Sequence, residues 1–237
     1  MAGVFPGVFP GVLGRVWVFL LLATTLAACS ARIPENTQTR ILLLGDSMMA
    51  ANRDENAGVA AALQQHLGEP VLDRSVSGAR YLGLAKLSGI GLYLPNQYRS
   101  GKWQWVVVNG GGNDLLLSCA CRWCAGTLER LISPDGSRGA VPDFVAQLRS
   151  TGAQVLYTGY LRTPGVTSPI EGCTQIGTEF ETRLARMAAR DEGVRFVGLT
   201  DLVPMGARSY HNIDLIHPSA KGSNAIAGRL AQVMAAR

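Results

Sequence analysis

The chain has 237 residues, 47% of them hydrophobic and only 16% charged. That balance excludes a disordered chain, and the 28 glycines follow no collagen-like period. With a net charge of +5 and no Lys/Arg cluster longer than a neighbouring pair, a nucleic-acid surface is excluded, and no repeat of roughly 20–50 residues points to a solenoid.

The first 29 residues carry one charged side chain, Arg15. Residues 16–28 form a 13-residue apolar run, too short to span a bilayer, and Pro6 and Pro10 prevent a longer helix. The pattern is that of an export signal. Its end, Leu26-Ala27-Ala28-Cys29, resembles the lipobox of bacterial lipoproteins. That resemblance implies removal of residues 1–28, a lipid on Cys29, and a domain tethered to the cell envelope, in the periplasm or outside the cell. The plainer alternative is an ordinary signal peptide cut after Ala28. Residues 30–39 are polar and aperiodic and read as a tether, leaving residues 40–237 as one domain.

In that domain short apolar runs alternate with helical patterns. Strands are expected at 40–44, 71–76, 103–108, 154–157 and 194–199, and helices at 57–67, 141–148, 180–189 and 220–236. Near-continuous apolar strands between helices predict an α/β fold, with a parallel sheet of about five strands covered on both faces. Chemistry in such sheets gathers outside the carboxyl ends of the strands.

Setting Cys29 aside, Cys119, Cys121, Cys124 and Cys173 are an even set in an exported chain. A Cys119–Cys121 bridge would close a very tight ring, so the expected arrangement is one bridge within 119–124 and one to Cys173. A zinc site on Cys119, Cys121 and Cys124, or a redox pair at Cys121 and Cys124, is the competing reading. The first lacks paired metal knuckles, and no thioredoxin-like strand precedes the second.

Four short motifs fall at strand ends: Gly45-Asp46-Ser47, Gly78, Gly111-Gly112-Asn113-Asp114, and Asp214-Leu215-Ile216-His217. Together they offer a hydroxyl, an imidazole, a carboxylate and amide donors, the inventory for acyl transfer. From residues 40 to 237 the chain resembles the SGNH (GDSL-type) hydrolases, with the motifs in that family's order. Chance co-occurrence of the three longer motifs is on the order of 10⁻⁴. The resemblance implies a flavodoxin-like three-layer α/β/α fold and a serine esterase. Ser47 would be the nucleophile, His217 the base and Asp214 its partner, with an oxyanion hole from Ser47, Gly78 and Asn113. No metal or other cofactor is implied.

Plainer roles compete at each position. Ser47 could simply cap a helix. His66 reads as a solvated surface residue, and His211 as a residue lining the site without an Asp three places earlier. Asp46 and Asp114 read as loop anchors, and Asn109 as a strand residue. Loop 115–138 lies outside the family pattern, so substrate fit does not carry over. The expected substrate is a small-molecule or glycan ester of the envelope, with short acyl or acetyl groups. The alternatives are an O-acyltransferase on the same site and a non-catalytic glycan-binding lipoprotein.

Overall fold

The strand β1 (Ile41–Leu44) shows why this sheet is parallel: all four of its side chains are buried, so it needs cover on both faces. The computed structural model describes Gly3 and residues 39–83, 86, 89–165 and 167–236. The expected export signal, Cys29 and the tether up to residue 38 lie outside the described residues.

Four further strands, β2 (Val71–Asp73), β3 (Trp105–Val108), β4 (Gln154–Thr158) and β5 (Val194–Val197), join β1 in the order β2-β1-β3-β4-β5. Every pairing is parallel, with Leu42 opposite Val106 and Val106 opposite Val155. This is the flavodoxin-like order, in the three-layer α/β/α architecture expected from the resemblance. The chain leaves β1 toward β2 and then crosses back to β3. That reversal opens a crevice at the carboxyl ends of β1 and β3.

Side chains alternate between the faces with period two. Ile41, Leu43, Val107 and Leu156 point to one layer, formed by α1 (Ser47–Ala50), α2 (Val59–Leu67) and α7 (Ala220–Ala235). Leu42, Leu44, Val106, Val108 and Tyr157 point to the other. That layer holds α3 (Gly112–Cys119), α4 (Ala125–Leu131), α5 (Ala140–Arg149) and α6 (Thr174–Ala188). His66, expected to be solvated, is exposed on α2 and also meets Asn224 Oδ1 on α7 at 3.0 Å.

Several boundaries differ from expectation, and the second and fifth strands end early, at Asp73 and Val197. Residues 115–138 are not simply a loop, because α3 and α4 fall there. The helix expected at 180–189 begins earlier, at Thr174, just after Cys173. The third strand starts at Trp105, and Trp103 lies before it with its indole Nε1 donating to Arg99 O at 2.7 Å. Trp105 lies half-buried under the Arg195 guanidinium, 5.6 Å from the ring centre. Among the described residues no helix is long and apolar enough to cross a membrane.

The cysteines pair as Cys119–Cys124 and Cys121–Cys173. None of these four thiols is free for zinc or for redox exchange. The first bridge closes the turn between α3 and α4, and the second ties that turn to the start of α6. With a sequence separation of 52 against 5, the second bridge removes more unfolded-chain entropy than the first. The chain-entropy limits are about 4 and about 2 kcal/mol. The double variant Cys121→Ser/Cys173→Ser should therefore lose up to about 4 kcal/mol in urea unfolding, and more than Cys119→Ser/Cys124→Ser. Equal or reversed losses would contradict this.

Candidate active site

The site begins where β1 ends. Gly45 stops the strand, and its N–H and carbonyl are both satisfied by the buried amide of Gln97: Oε1 accepts from Gly45 N at 2.8 Å and Nε2 donates to Gly45 O at 2.9 Å. The next residue, Asp46, is the cap of the four-residue helix α1, accepting from Met48 N at 2.9 Å through Oδ1. Capping therefore falls to Asp46, and Ser47 stands at the first helical position with its hydroxyl free for another partner. The Ser47 N–H, at the start of the helix, has no intrahelical acceptor.

The other Asp46 oxygen, Oδ2, accepts from the Tyr160 hydroxyl at 2.6 Å, and that hydroxyl accepts from Gly112 N at 2.8 Å. One half-buried phenol thus joins the loops after β1, β3 and β4. Gly112 is required here, since a Cβ would come within 2.7 Å of the Tyr160 ring. Burial pushes the Asp46 carboxyl above its usual pKa, against the opposing pull of the Tyr160 hydroxyl, the Met48 N–H and the nearby His217. Glu181 Oε1 accepts from Tyr160 N at 3.0 Å and fixes the tyrosine backbone.

His217 arrives from the other side of the crevice. Its Nε2 lies 2.9 Å from Ser47 Oγ, and its Nδ1 lies 2.6 Å from Asp214 Oδ2. Asp214 Oδ1 also accepts from the N–H groups of Ile216 and His217 at 2.9 and 3.0 Å. Partial burial works against ionisation of Asp214. The His217 side chain and these two N–H donors outweigh it and hold the carboxyl below its usual pKa. The turn puts Leu215 at φ +56°, a left-handed conformation rare for a γ-branched residue, and Ser168 Oγ donates to its carbonyl at 3.0 Å. Asn52 Nδ2 donates to Pro218 O at 2.8 Å, tying the residues after α1 to this turn.

With Nδ1–H directed at the carboxylate, Nε2 is left to accept the serine proton. A hydroxyl, a base and an orienting carboxylate are thereby in line.

Asn113 lies in the first turn of α3, and its Nδ2 donates to Ala79 O at 3.2 Å. That contact brings its amide to the residue next to Gly78, whose φ of +80° suits glycine. No acceptor for the Gly78 N–H occurs among the described residues. Asp114 accepts from Tyr81 N and Leu82 N at 3.0 and 2.8 Å, which fixes the Gly78 loop. Burial pushes its pKa up to about 6 against those two donors.

Ser47, Asn113 and His217 line one cavity of about 650 Å³, with Cys121 and Cys173 in its wall. Gly78 lies outside that lining. Asp46 and Asp114 are loop anchors, as expected. His211, expected to line the site, is buried and does not line the cavity, because it pairs backbone with Pro218 beneath the His217 turn. Asn109, expected within the strand, stands one residue beyond it and spends its amide on the carbonyls of Thr158 and Gly159 at 3.2 and 3.1 Å. Among the described residues no group of three or more His, Cys, Asp or Glu could hold a metal ion. Gln97, Tyr160 and Asn52 escape the sequence reading, since each meets its partner across 52 residues or more and no local pattern marks it.

Residues 43–225 match the sequence profile of the GDSL-like Lipase/Acylhydrolase family. The chain belongs to that family. It is an ester-hydrolysing enzyme by that membership. Solved structures share its fold at low identity. A protein of Slackia heliotrinireducens named as an SGNH hydrolase is 20% identical with a TM-score of 0.60, over 83% of this chain and 98% of that one. A GDSL-like lipase from Bacteroides thetaiotaomicron is 15% identical with a TM-score of 0.53, over 91% and 96%. A family two carbohydrate esterase from Clostridium thermocellum, in complex with cellohexaose, is 19% identical with a TM-score of 0.55, over 86% and 65%. Among curated proteins no sequence matches significantly.

Tyr160 gives this GDSL-like hydrolase a testable joint. Tyr160→Phe leaves Asp46 Oδ2 and Gly112 N–H without their partner, and should cost about 1–3 kcal/mol in urea unfolding. It should also lower kcat with little change in KM, because it loosens the helix that carries Ser47. Unchanged stability and kcat would show that the phenol holds nothing.

Proposed function

We propose that this enzyme is a serine esterase that works through an acyl-enzyme on Ser47. The observation that carries the reading is the continuous contact Ser47 Oγ–His217 Nε2 at 2.9 Å and His217 Nδ1–Asp214 Oδ2 at 2.6 Å. His217 takes the serine proton as Oγ bonds to the ester carbonyl carbon. The oxyanion that forms is met by the N–H groups of Ser47 and Gly78 and by the Asn113 amide. When the carbon–oxygen bond to the alcohol breaks, His217 returns the proton to the leaving oxygen. Water then bonds to the acyl carbon, giving its proton to His217, and Ser47 regains it as the free acid departs. Asp214 keeps the imidazole in one tautomer and stabilises its charged form.

The Leu26-Ala27-Ala28-Cys29 sequence supports an enzyme lipid-anchored in the bacterial envelope, where its substrates are esters of envelope lipids or glycans. The disulfides suit that oxidising compartment. The likeness to a carbohydrate esterase holding cellohexaose keeps glycan esters among the substrates to be tried.

Ser47→Ala should lower ester hydrolysis by on the order of 10⁴–10⁶-fold, and Asn113→Ala by about 10²–10³-fold. Asp214→Asn should fall between them, since the nucleophile survives but the imidazole tautomer is no longer fixed. Wild-type turnover by Ser47→Ala would remove Ser47 from the reaction. For the anchor, intact-mass analysis of membrane-extracted protein should find a chain beginning at a lipidated Cys29, and Cys29→Ala should release the enzyme or leave it unprocessed. A mature chain without lipid on Cys29 would refute the anchoring.

A further inference from the structure

The cavity beside Ser47 is too large for a short acyl group. At about 650 Å³ it lies in the range, about 300–1,000 Å³, that encloses a whole drug-sized ligand. An acetyl group would touch little of it.

Its lining is apolar by position and by hydrogen bonding. Leu115 and Leu116 of α3, Ile176 and Phe180 of α6, and Val203 and Met205 after β5 form its walls. Most of the threonines between them are already engaged. Thr174 Oγ1 donates to Glu171 O at 2.8 Å, and Thr178 and Thr182 each donate to the carbonyl four residues earlier at 2.9 Å. Thr163 donates to Glu171 Oε2 at 2.9 Å. Arg162 pairs with the buried Glu181 at 2.9 Å, and Tyr160 is spent on Asp46. A sugar needs several unpaired donors and acceptors aimed into its pocket, and the protons of these four threonines are directed at protein acceptors instead. Apart from the catalytic groups, the Arg162 guanidinium and Thr200, what remains for an occupant is methyl groups, rings and thioether. Leu116 and Met205, 36% and 85% exposed, are large apolar side chains left at this cavity without cover. The Cys121–Cys173 bridge, whose two cysteines both line the cavity, holds the α3–α4 turn against the start of α6 and keeps the two walls at a fixed spacing.

We infer that this cavity receives a straight aliphatic acyl chain of octanoyl to dodecanoyl length, which makes the substrate a medium-chain acyl ester and not an acetylated glycan. The inference rests on Ser47 being the acylated nucleophile. The chain enters past Ser47 and lies between α3 and α6, and the alcohol leaves toward solvent.

Two ester series decide it, both kept below micelle-forming concentrations: p-nitrophenyl esters from acetyl to dodecanoyl, and acetate esters of alcohols of matching length. Burying one methylene is worth about 0.8 kcal/mol, so kcat/KM should rise by about fourfold per methylene along the acyl series, to an optimum near decanoyl. It should stay flat along the alcohol series. A serine-directed alkylphosphonate, read by peptide mass spectrometry, reports on Ser47 independently. If Ser47 is labelled but rates are flat or fall with acyl length, the acyl-chain inference is overturned and the esterase reading stands. A rise with alcohol length alone also overturns it, making the cavity a leaving-group site. If Ser47 is not labelled and no ester is cleaved, both fall together. Ile176→Trp should shift the optimum to shorter chains, with Val203→Trp, on a separate segment, serving if the first variant does not fold. An unmoved optimum in a folded variant would overturn the inference.

Discussion

Ser47 sits on a helix of only four residues, which has almost no stability of its own. What holds it is the buried Asp46 carboxylate, with one oxygen on Met48 N–H and the other on the Tyr160 hydroxyl. Without that anchor the serine would sample positions out of reach of His217. The cost is a carboxylate taken out of water, felt as a raised pKa, and the hydrogen bonds around it offset that cost. Tyr160 also receives Gly112 N–H, so a single side chain sets the relative positions of the serine helix and the helix that carries Asn113. The glycine run after β3 serves this arrangement by letting the phenol ring approach the backbone.

The same logic organises the far side. The Asp214–His217 turn is held by its own carboxylate, by Ser168 on the carbonyl of a left-handed Leu215, and by Asn52 on Pro218 O. Two rigid edges, one built on Asp46 and one on Asp214, therefore face each other across the crevice of a sheet whose strand order opens it at that point. The strain at Leu215 is local, and it sits where a fixed imidazole is worth most.

Much of this is legible in the sequence, for physical reasons. A strand covered on both faces must be an unbroken apolar run, so 40–44 and 103–108 declare themselves, and the glycines and small polar residues that follow mark the edge where chemistry collects. Ser47, Asn113, Asp214 and His217 are recognisable because each lies in a short pattern with its neighbours. Helices α3 and α4 are not, since neither starts with a side-chain cap and Leu115, Leu116 and Leu117 run together without helical spacing. Tyr160, Gln97 and Asn52 act at distances along the chain that no local pattern encodes. The cavity is invisible for the same reason: its walls come from α3, from α6 and from the segment after β5, and its apolar character depends on which way each threonine turns its hydroxyl.

In the proposed reaction the ester carbon bonds to Ser47 with its oxygen in the Gly78–Asn113 corner and its chain in the cavity. A crystal structure of the protein inactivated with a decyl phosphonate p-nitrophenyl ester tests all three parts at once. Phosphorus should be bonded to Ser47 Oγ, with a phosphoryl oxygen about 2.7–3.1 Å from the Ser47 N, the Gly78 N and Asn113 Nδ2. The decyl chain should lie between α3 and α6. Phosphorus on another residue, or a phosphoryl oxygen turned away from those three donors, would contradict it.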